Sequence, residues 1–348
     1  MQVIADSMTV AALLHVLVGV AVIGMTYFLG TRVFGGEVGL VAAWWLAIDP
    51  LHIVDSSVLL TEVVFSAFLT GAVLTLSAQI LEQKPTLSWG RWAVAGLLVA
   101  AAALIRPIGL YLPLAAVLTA VVFRRRKLIV GTLVLLAAFS VPVGIWVVRN
   151  ASLTGVITFS TIQGENLSNY RAAGAVAAQE GISLTAARER IGREVAAETE
   201  ADMNPAEIDA IRTRVGINQL LDHPVGYAIT AARGLFLTLG GPASSHIEER
   251  TQGTPLETVT PFFVVGAASS AIAMSLAAAF GASRQIARHH WRELALIGLP
   301  IVYLLVVGSG HEAWARFRIP FQPLLVVVAA LGVIEIKTLL GAGSTVVD

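Results

Sequence analysis

Asp49, His52, Asp55 and Glu62 crowd into one short stretch, Asp49-Pro50-Leu51-His52-Ile53-Val54-Asp55-Ser56-Ser57 and the Leu60-Thr61-Glu62 that follows. Three carboxylates and an imidazole this close can move a proton or steady a developing charge. Apolar runs flank the stretch on both sides, and ionisable groups at the edge of membrane helices are costly enough to mark a working site by default. Each residue also has a plainer role. A glutamate that opens a helix is favoured by the helix dipole, which fits Glu62. Asp49 precedes a proline and can simply end a helix. His52 and Asp55 could join a divalent-ion site, but their spacing matches no compact metal motif. The cofactor expectation is therefore none that is certain, with a divalent ion left open.

The elements that must hold these groups are membrane helices. The chain has 348 residues, 56% of them hydrophobic and 13% charged, against about a quarter charged in a soluble domain. This composition predicts an all-α polytopic membrane protein. A net charge of zero gives no reason to expect a nucleic-acid partner. The lack of cysteine excludes disulfides and thiol chemistry. Spans of about 20 apolar residues are expected near 9–30, 37–54, 58–82, 90–105, 107–123, 127–148, 258–281, 292–310 and 319–340, nine in all.

Basic residues favour the cytoplasmic side. Arg124-Arg125-Arg126-Lys127 and the trio Arg284, Arg288 and Arg292 set that side, and Arg32, Lys84, Arg91 and Lys337 agree with it. Residues 49–57, 149–257 and 311–318 then face outward. So does Met1, which predicts an upstream helix and outer loop missing from this chain; a translocated N-tail or a helix count wrong by one are the alternatives. The expected organisation is 1–150 as N-terminal spans, 151–257 as a helical extracytoplasmic region and 258–348 as C-terminal spans.

The outer rim of this topology collects Asp49, His52, Asp55, Glu62, Arg106, Arg149, Asn150, His311, Glu312, Arg316 and Arg318. Four arginines on the side that disfavours them need a reason, and an anionic ligand supplies one, because guanidinium pairs bidentately with phosphate. Snorkelling from helix ends is the alternative for any single arginine. His15 lies mid-span and reads as an internal hydrogen-bonding residue. His289 and His290 read as solvated. In 151–257, Ser183 starts an amphipathic helix through Leu184, Ala187, Ile191 and Val195. Asn204-Pro205 with Glu207 caps another through Ile208, Ile211, Val215 and Leu220, which Asp222-His223-Pro224 ends. Tyr227 to Leu239 is apolar and reads as lying at the membrane interface.

Three blocks resemble a known family. The first is Leu29-Gly30-Thr31-Arg32-Val33-Phe34-Gly35 with Ala47-Ile48-Asp49-Pro50 and Leu60-Thr61-Glu62. The second runs from Pro142 through Trp146-Val147-Val148-Arg149-Asn150 to Gly155 and Gly164-Glu165-Asn166-Leu167. The third is Ala315-Arg316-Phe317-Arg318-Ile319-Pro320-Phe321-Gln322-Pro323-Leu324. Together they resemble the bacterial glycosyltransferase family 39, the dolichyl-phosphate-mannose-protein mannosyltransferase-like proteins of GT-C fold. The resemblance implies a GT-C-like bundle in the cell membrane, working at its extracytoplasmic face. It implies transfer of a sugar from a polyprenyl-phosphate donor to a glycan, lipid or protein acceptor.

On that resemblance Glu62 is the second acidic residue of the active site, with Asp49 and Asp55 beside it. Arg106, Arg149, Arg316 and Arg318 are donor-phosphate candidates by location. Asn150, Asn166 and His311 are acceptor or loop candidates. The family's principal acidic residue belongs to an outer loop that this sequence does not contain. A transporter or flippase for a lipid-linked or anionic solute is the competing class, and a non-catalytic relative a third. Transporters often show inverted repeats with midplane sites. Here no repeat is evident and the ionisable residues gather at one rim, which favours the enzyme.

Overall fold

The computed structural model describes residues 2–81, 88–123 and 126–343. Lys84, Arg124 and Arg125, assigned above to cytoplasmic turns, lie outside the described residues. In chain order the helices are α1 (Gln2–Phe34), α2 (Gly36–Ile48), α3 (Pro50–Ser56), α4 (Thr61–Leu81), α5 (Trp89–Ile105), α6 (Pro113–Phe123) and α7 (Arg126–Thr154). Then come α8 (Gln163–Glu165), a π-helical turn (Asn166–Ala172), α9 (Ala173–Glu180), α10 (Leu184–Glu198), α11 (Pro205–Asp222) and α12 (Pro224–Gly240). The chain ends with α13 (Ser244–Thr251), α14 (Thr260–Ala287), α15 (Trp291–Gly308), a 3-10 turn (Ala315–Phe321) and α16 (Gln322–Gly343). Among the described residues there is no strand, as an all-α chain requires.

The expected count of nine spans is not confirmed. Among the described residues six helices are long and apolar enough to cross a membrane: Thr9–Phe34, Thr61–Leu81, Arg126–Thr154, Glu257–Ala287, Trp291–Gly308 and Ala315–Gly341. The expected 37–54 span is the pair α2 and α3, bent by 64°, which makes seven if it counts as one. The bend follows from Asp49-Pro50, since a residue before proline is pushed out of the helical region. The expected 90–105 and 107–123 spans lie on shorter apolar helices, Trp89–Ile105 and Pro107–Val121. Seventeen residues rise about 25 Å, short of the roughly 30 Å hydrocarbon core. The chain is a multi-pass membrane protein.

Two compact units form. The first comprises Met1–Ser140, Leu239–Leu304 and Ala315–Asp348; the second comprises Val141–Thr238 and Leu305–Trp314. Of the expected 151–257 region, residues up to 238 fall in the second unit, while α13 and the turn before α14 belong to the first.

In the first unit, every residue from Arg318 to Gly332 is buried, so α16 runs through its centre. Lipid supplies no hydrophobic drive between helices, so close backbone approach through small residues has to. A Cβ at Gly332 would fall 2.0 Å from the Ala277 carbonyl oxygen of α14, and one at Gly30 would fall 2.7 Å from Gly39 Cα of α2. The outward faces are apolar: Leu17 on α1 is 62% exposed and Phe262 on α14 is 77% exposed. At the far end of α14, Arg288 holds the buried Glu335 of α16, with Nη2 2.8 Å from Oε2. His289 and His290 are exposed, as expected.

The second unit has its own core, where Ala187, Ile191 and Val195 of α10 meet Ile211 and Val215 of α11 and Ala173 and Val176 of α9. The anticipated caps are present. Ser183 Oγ accepts from Ala186 N–H at 3.1 Å. Asn204 and Glu207 form a reciprocal capping box, which satisfies two orphan donors at once. His223 terminates α11.

Candidate functional site

The site is built around the break between α2 and α3. Asp49 sits in extended backbone (φ −67°, ψ 120°) and caps α3, its Oδ1 accepting the His52 N–H at 3.0 Å. Pro50 occupies the first turn, where its missing N–H costs nothing. Oδ2 of Asp49 accepts from Ser270 Oγ of α14 at 2.5 Å, and Trp45 Nε1 donates to that hydroxyl at 3.0 Å. Asp49 therefore ends one helix, as the plainer reading required, and begins the next.

Asp55, on the last turn of α3, is fully buried. Its Oδ1 lies 2.5 Å from Nε2 of His246 on α13, and its Oδ2 has no partner among the described residues. The segment between α3 and α4 is held by His15 of α1. That ring contacts the Ser56 carbonyl at 3.1 Å and the Leu60 carbonyl at 2.8 Å, which is the internal hydrogen-bonding role expected of it.

Glu62 lies in the first turn of α4 and is 3% exposed. Arg106, which caps the end of α5 ahead of Pro107, places Nη1 2.8 Å from Glu62 Oε1. Thr61 joins the two: its hydroxyl accepts from Arg106 at 2.9 Å and donates to Glu62 Oε2 at 3.3 Å. Arg318, in the 3-10 turn before α16, has no exposed surface and has Asp49 and Asp55 as the carboxylates acting on it. Arg316 is half-buried, lies within electrostatic reach of Asp55 and has its guanidinium 5.9 Å from the Phe317 ring. The first unit thus gathers Asp49, Asp55, Glu62, Arg106, Arg316 and Arg318.

His52 and Asp55 do not pair toward a metal. His52 Nε2 faces the Gly19 carbonyl at 3.4 Å while Asp55 faces His246. No group of three or more His, Asp or Glu among the described residues could hold an ion.

The remaining sequence candidates lie in the second unit. Arg149 is exposed, with its guanidinium 4.8 Å from the Trp146 ring centroid and Nη1 donating to Asn150 Oδ1 at 3.0 Å. Asn150 Nδ2 donates to the Thr158 and Phe159 carbonyls, each at 3.2 Å. Asn166 opens the π-helical turn. Glu312 binds Arg171, whose Nε donates at 2.9 Å and whose Nη2 also reaches the Val307 carbonyl at 2.8 Å.

His311 packs on α9 where Gly174 leaves room; a Cβ there would fall 2.2 Å from His311 Cβ. Burial holds the His311 ring below the ordinary histidine value, with the Arg233 and Arg188 charges adding to it and Glu312 opposing. The folded ring binds its proton less tightly than the unfolded one. Its contribution to stability is therefore complete above the ordinary value of 6.5 and is lost as pH falls through the folded value. Thermal unfolding in detergent is expected to show stability declining below that pH, and His311→Gln is expected to flatten the decline. An identical pH dependence in the variant would exclude this cause.

Sequence reasoning missed His246, Ser270 and Arg171. His246 and Asp55 are 191 positions apart, and a lone histidine in a short polar helix carries no local signal of its partner.

Residues 1–146 match the family described as dolichyl-phosphate-mannose-protein mannosyltransferase. The fold resembles that of the archaeal oligosaccharyltransferase AglB from Archaeoglobus fulgidus, solved with an inhibitory peptide and a dolichol-phosphate. Identity is 15% and the TM-score 0.55, over 97% of this chain and 40% of AglB. ArnT from Cupriavidus metallidurans, solved with undecaprenyl phosphate, aligns at 17% identity and a TM-score of 0.37, over 92% of this chain and 62% of ArnT. The chain thus spans about two-fifths of the length of AglB. No curated protein matches it in sequence.

Proposed function

We propose, for a chain of GT-C fold whose first 146 residues carry the mannosyltransferase family match, a membrane glycosyltransferase. It moves a sugar from a polyprenyl-phosphate donor to an acceptor at the extracytoplasmic face of the cell membrane. The observation that carries this reading is the cluster of the first unit, three buried carboxylates interleaved with arginines at the ends of apolar helices. A transfer site needs that combination: positive charge where the phosphate leaves, and negative charge where the sugar carbon turns positive. That a protein of this fold was solved with a dolichol-phosphate and an inhibitory peptide supports a polyprenyl-phosphate partner.

The roles divide by exposure. Arg106, with a quarter of its side chain exposed, and the half-buried Arg316 are placed to meet a phosphate. Arg318 is sealed, and supports the site by neutralising Asp49 and Asp55. Glu62 has both oxygens engaged, by Arg106 and by Thr61, so it acts as a fixed negative charge that also aims Arg106. Arg149, Asn150, Asn166 and His311 are assigned to the acceptor side. The outward face follows from the distribution of basic residues, which leaves Arg284, Arg288 and Arg292 inside.

The test is sugar transfer in membranes containing the protein, supplied with a radiolabelled polyprenyl-phosphate sugar pool. Label is expected to leave the lipid fraction for an acceptor fraction. If label stays on the lipid while that lipid crosses the bilayer, the enzyme reading fails and the arginines belong to a transport path.

A further inference from the structure

A transfer to a hydroxyl acceptor needs a base, and each carboxylate of the cluster is already occupied or sealed. Asp49 uses both oxygens, on the His52 N–H and on Ser270. Glu62 uses both, on Arg106 and Thr61. Asp55 spends Oδ1 on His246, and its Oδ2 is buried with no exposed surface. The imidazole at the other end of that last bond is in a different position. His246 keeps 9% of its side chain exposed, and its Nδ1 makes no hydrogen bond among the described residues.

When Asp55 is ionised it can only accept, so the proton between the two groups rides on Nε2 and Nδ1 presents its lone pair. A buried carboxylate that orients an imidazole and balances the charge it gains is the arrangement by which histidine becomes an effective base. The backbone leading to it is constrained as well. Ala243, which precedes α13, is a non-glycine residue in the left-handed region at φ 56° and ψ 25°. Such strain persists only where surrounding structure over-determines it. Here Ala243 and Ile247 are buried against Leu51 and Val54 of α3, Val63 of α4 and Ala315 and Ile319 of the 3-10 turn. α13 is thereby packed on the elements that carry Asp55, Glu62 and Arg316.

We infer that His246, positioned by Asp55, takes the acceptor proton in sugar transfer. This rests on the glycosyltransferase reading above and names a base for it among the described residues. The acceptor oxygen bonds to the anomeric carbon, and its proton passes to His246 Nδ1. The bond from that carbon to the phosphate oxygen breaks, its electron pair leaving on the phosphate. The imidazolium then gives its proton to water, which restores the resting state.

Asp55 contacts the ring directly; the elements packed against α13 also carry His52 on α3, Glu62 on α4 and Arg316 and Arg318 on the 3-10 turn. Its own helix adds Glu248, Glu249 and Arg250. α14 brings no charged side chain before Arg284. A pH profile alone therefore does not single out His246, and the test compares variants.

The experiment measures kcat/KM for transfer from a labelled polyprenyl-phosphate sugar against pH, using the whole protein in membranes. Binding of the unlabelled polyprenyl phosphate is followed in parallel by thermal shift. Wild-type activity is expected to fall on the acidic side of its pH profile, where a base is lost. His246→Ala is expected to lower transfer by about 10²–10⁴-fold, to keep donor binding and to recover partly with added imidazole. Asp55→Asn is expected to move the acidic limb of the profile, whereas Glu62→Gln lowers the rate and leaves the limb in place. Retention of the wild-type rate and limb by His246→Ala overturns the inference and leaves the glycosyltransferase reading standing. Joint loss of transfer and donor binding without rescue by imidazole makes His246 structural and also overturns it. A wild-type protein that moves no sugar removes both.

Discussion

Glu62→Gln is expected to lower sugar transfer by about 10²–10³-fold, the usual cost of losing one preorganised electrostatic contact in a transfer site. The substitution keeps the shape of the side chain and removes its charge. Glutamine can still take a hydrogen bond from Arg106 across the 2.8 Å contact, so the fold and the expression level should change little. What disappears is the fixed negative charge beside the arginine, which matters most when the sugar carbon becomes positive. An interaction made mainly in the transition state lowers kcat and kcat/KM together. The informative measurement is therefore the initial rate at saturating donor, with KM recorded alongside. A raised KM at unchanged kcat would mean that Glu62 only helps hold the donor, and the assigned role would fall.

Arg318→Met is expected to cost about 3–5 kcal/mol of stability, the range for removing one partner of a buried charge arrangement. Methionine matches the length of the arginine stem and fills most of its space, so lost packing is a minor part of the effect. The cost comes from Asp49 and Asp55, which are 1% and 0% exposed and would lose the cation that acts on both. Marginal stability is the rule for proteins, so the variant should show little monodisperse protein on size exclusion in detergent. Adding Asp55→Asn should recover part of the loss, because the two sites share one interaction. Arg149→Met, which removes an exposed arginine over an indole ring, should leave the elution profile unchanged. Equal behaviour of the two variants would show that burial of Arg318 is not what matters.

Much of the fold was legible because its signals are local. Asp49-Pro50 announces a break, Asn204-Pro205 with Glu207 announces a helix start, and Ala187, Ile191 and Val195 announce a buried face. Each depends on residues within one or two turns. The candidate site was legible only by residue type. Glu62 and Arg106 could be named, but their 2.8 Å contact joins two helices whose packing no local pattern encodes. Asp55 was named without its partner, because His246 lies 191 positions away, in the stretch read as an extracytoplasmic helical region. The spans expected at 90–105 and 107–123 are not confirmed by the two short helices α5 and α6. Apolar composition does not say whether a segment crosses the hydrocarbon core or stops within the bundle.

The central position of α16 has a consequence for how the protein is made. A chain leaves the ribosome N-terminus first, and domains tend to fold in that order. Yet the helix whose first half is buried on all sides, and the arginine that neutralises α3, are translated after every other described span. Until that segment is made the earlier spans must enclose a gap, with Asp49 and Asp55 lacking their counter-charge. Completion of the bundle is thus coupled to synthesis of α16, and a nascent protein stalled before Arg318 presents a membrane quality-control system with two acids lacking that cation.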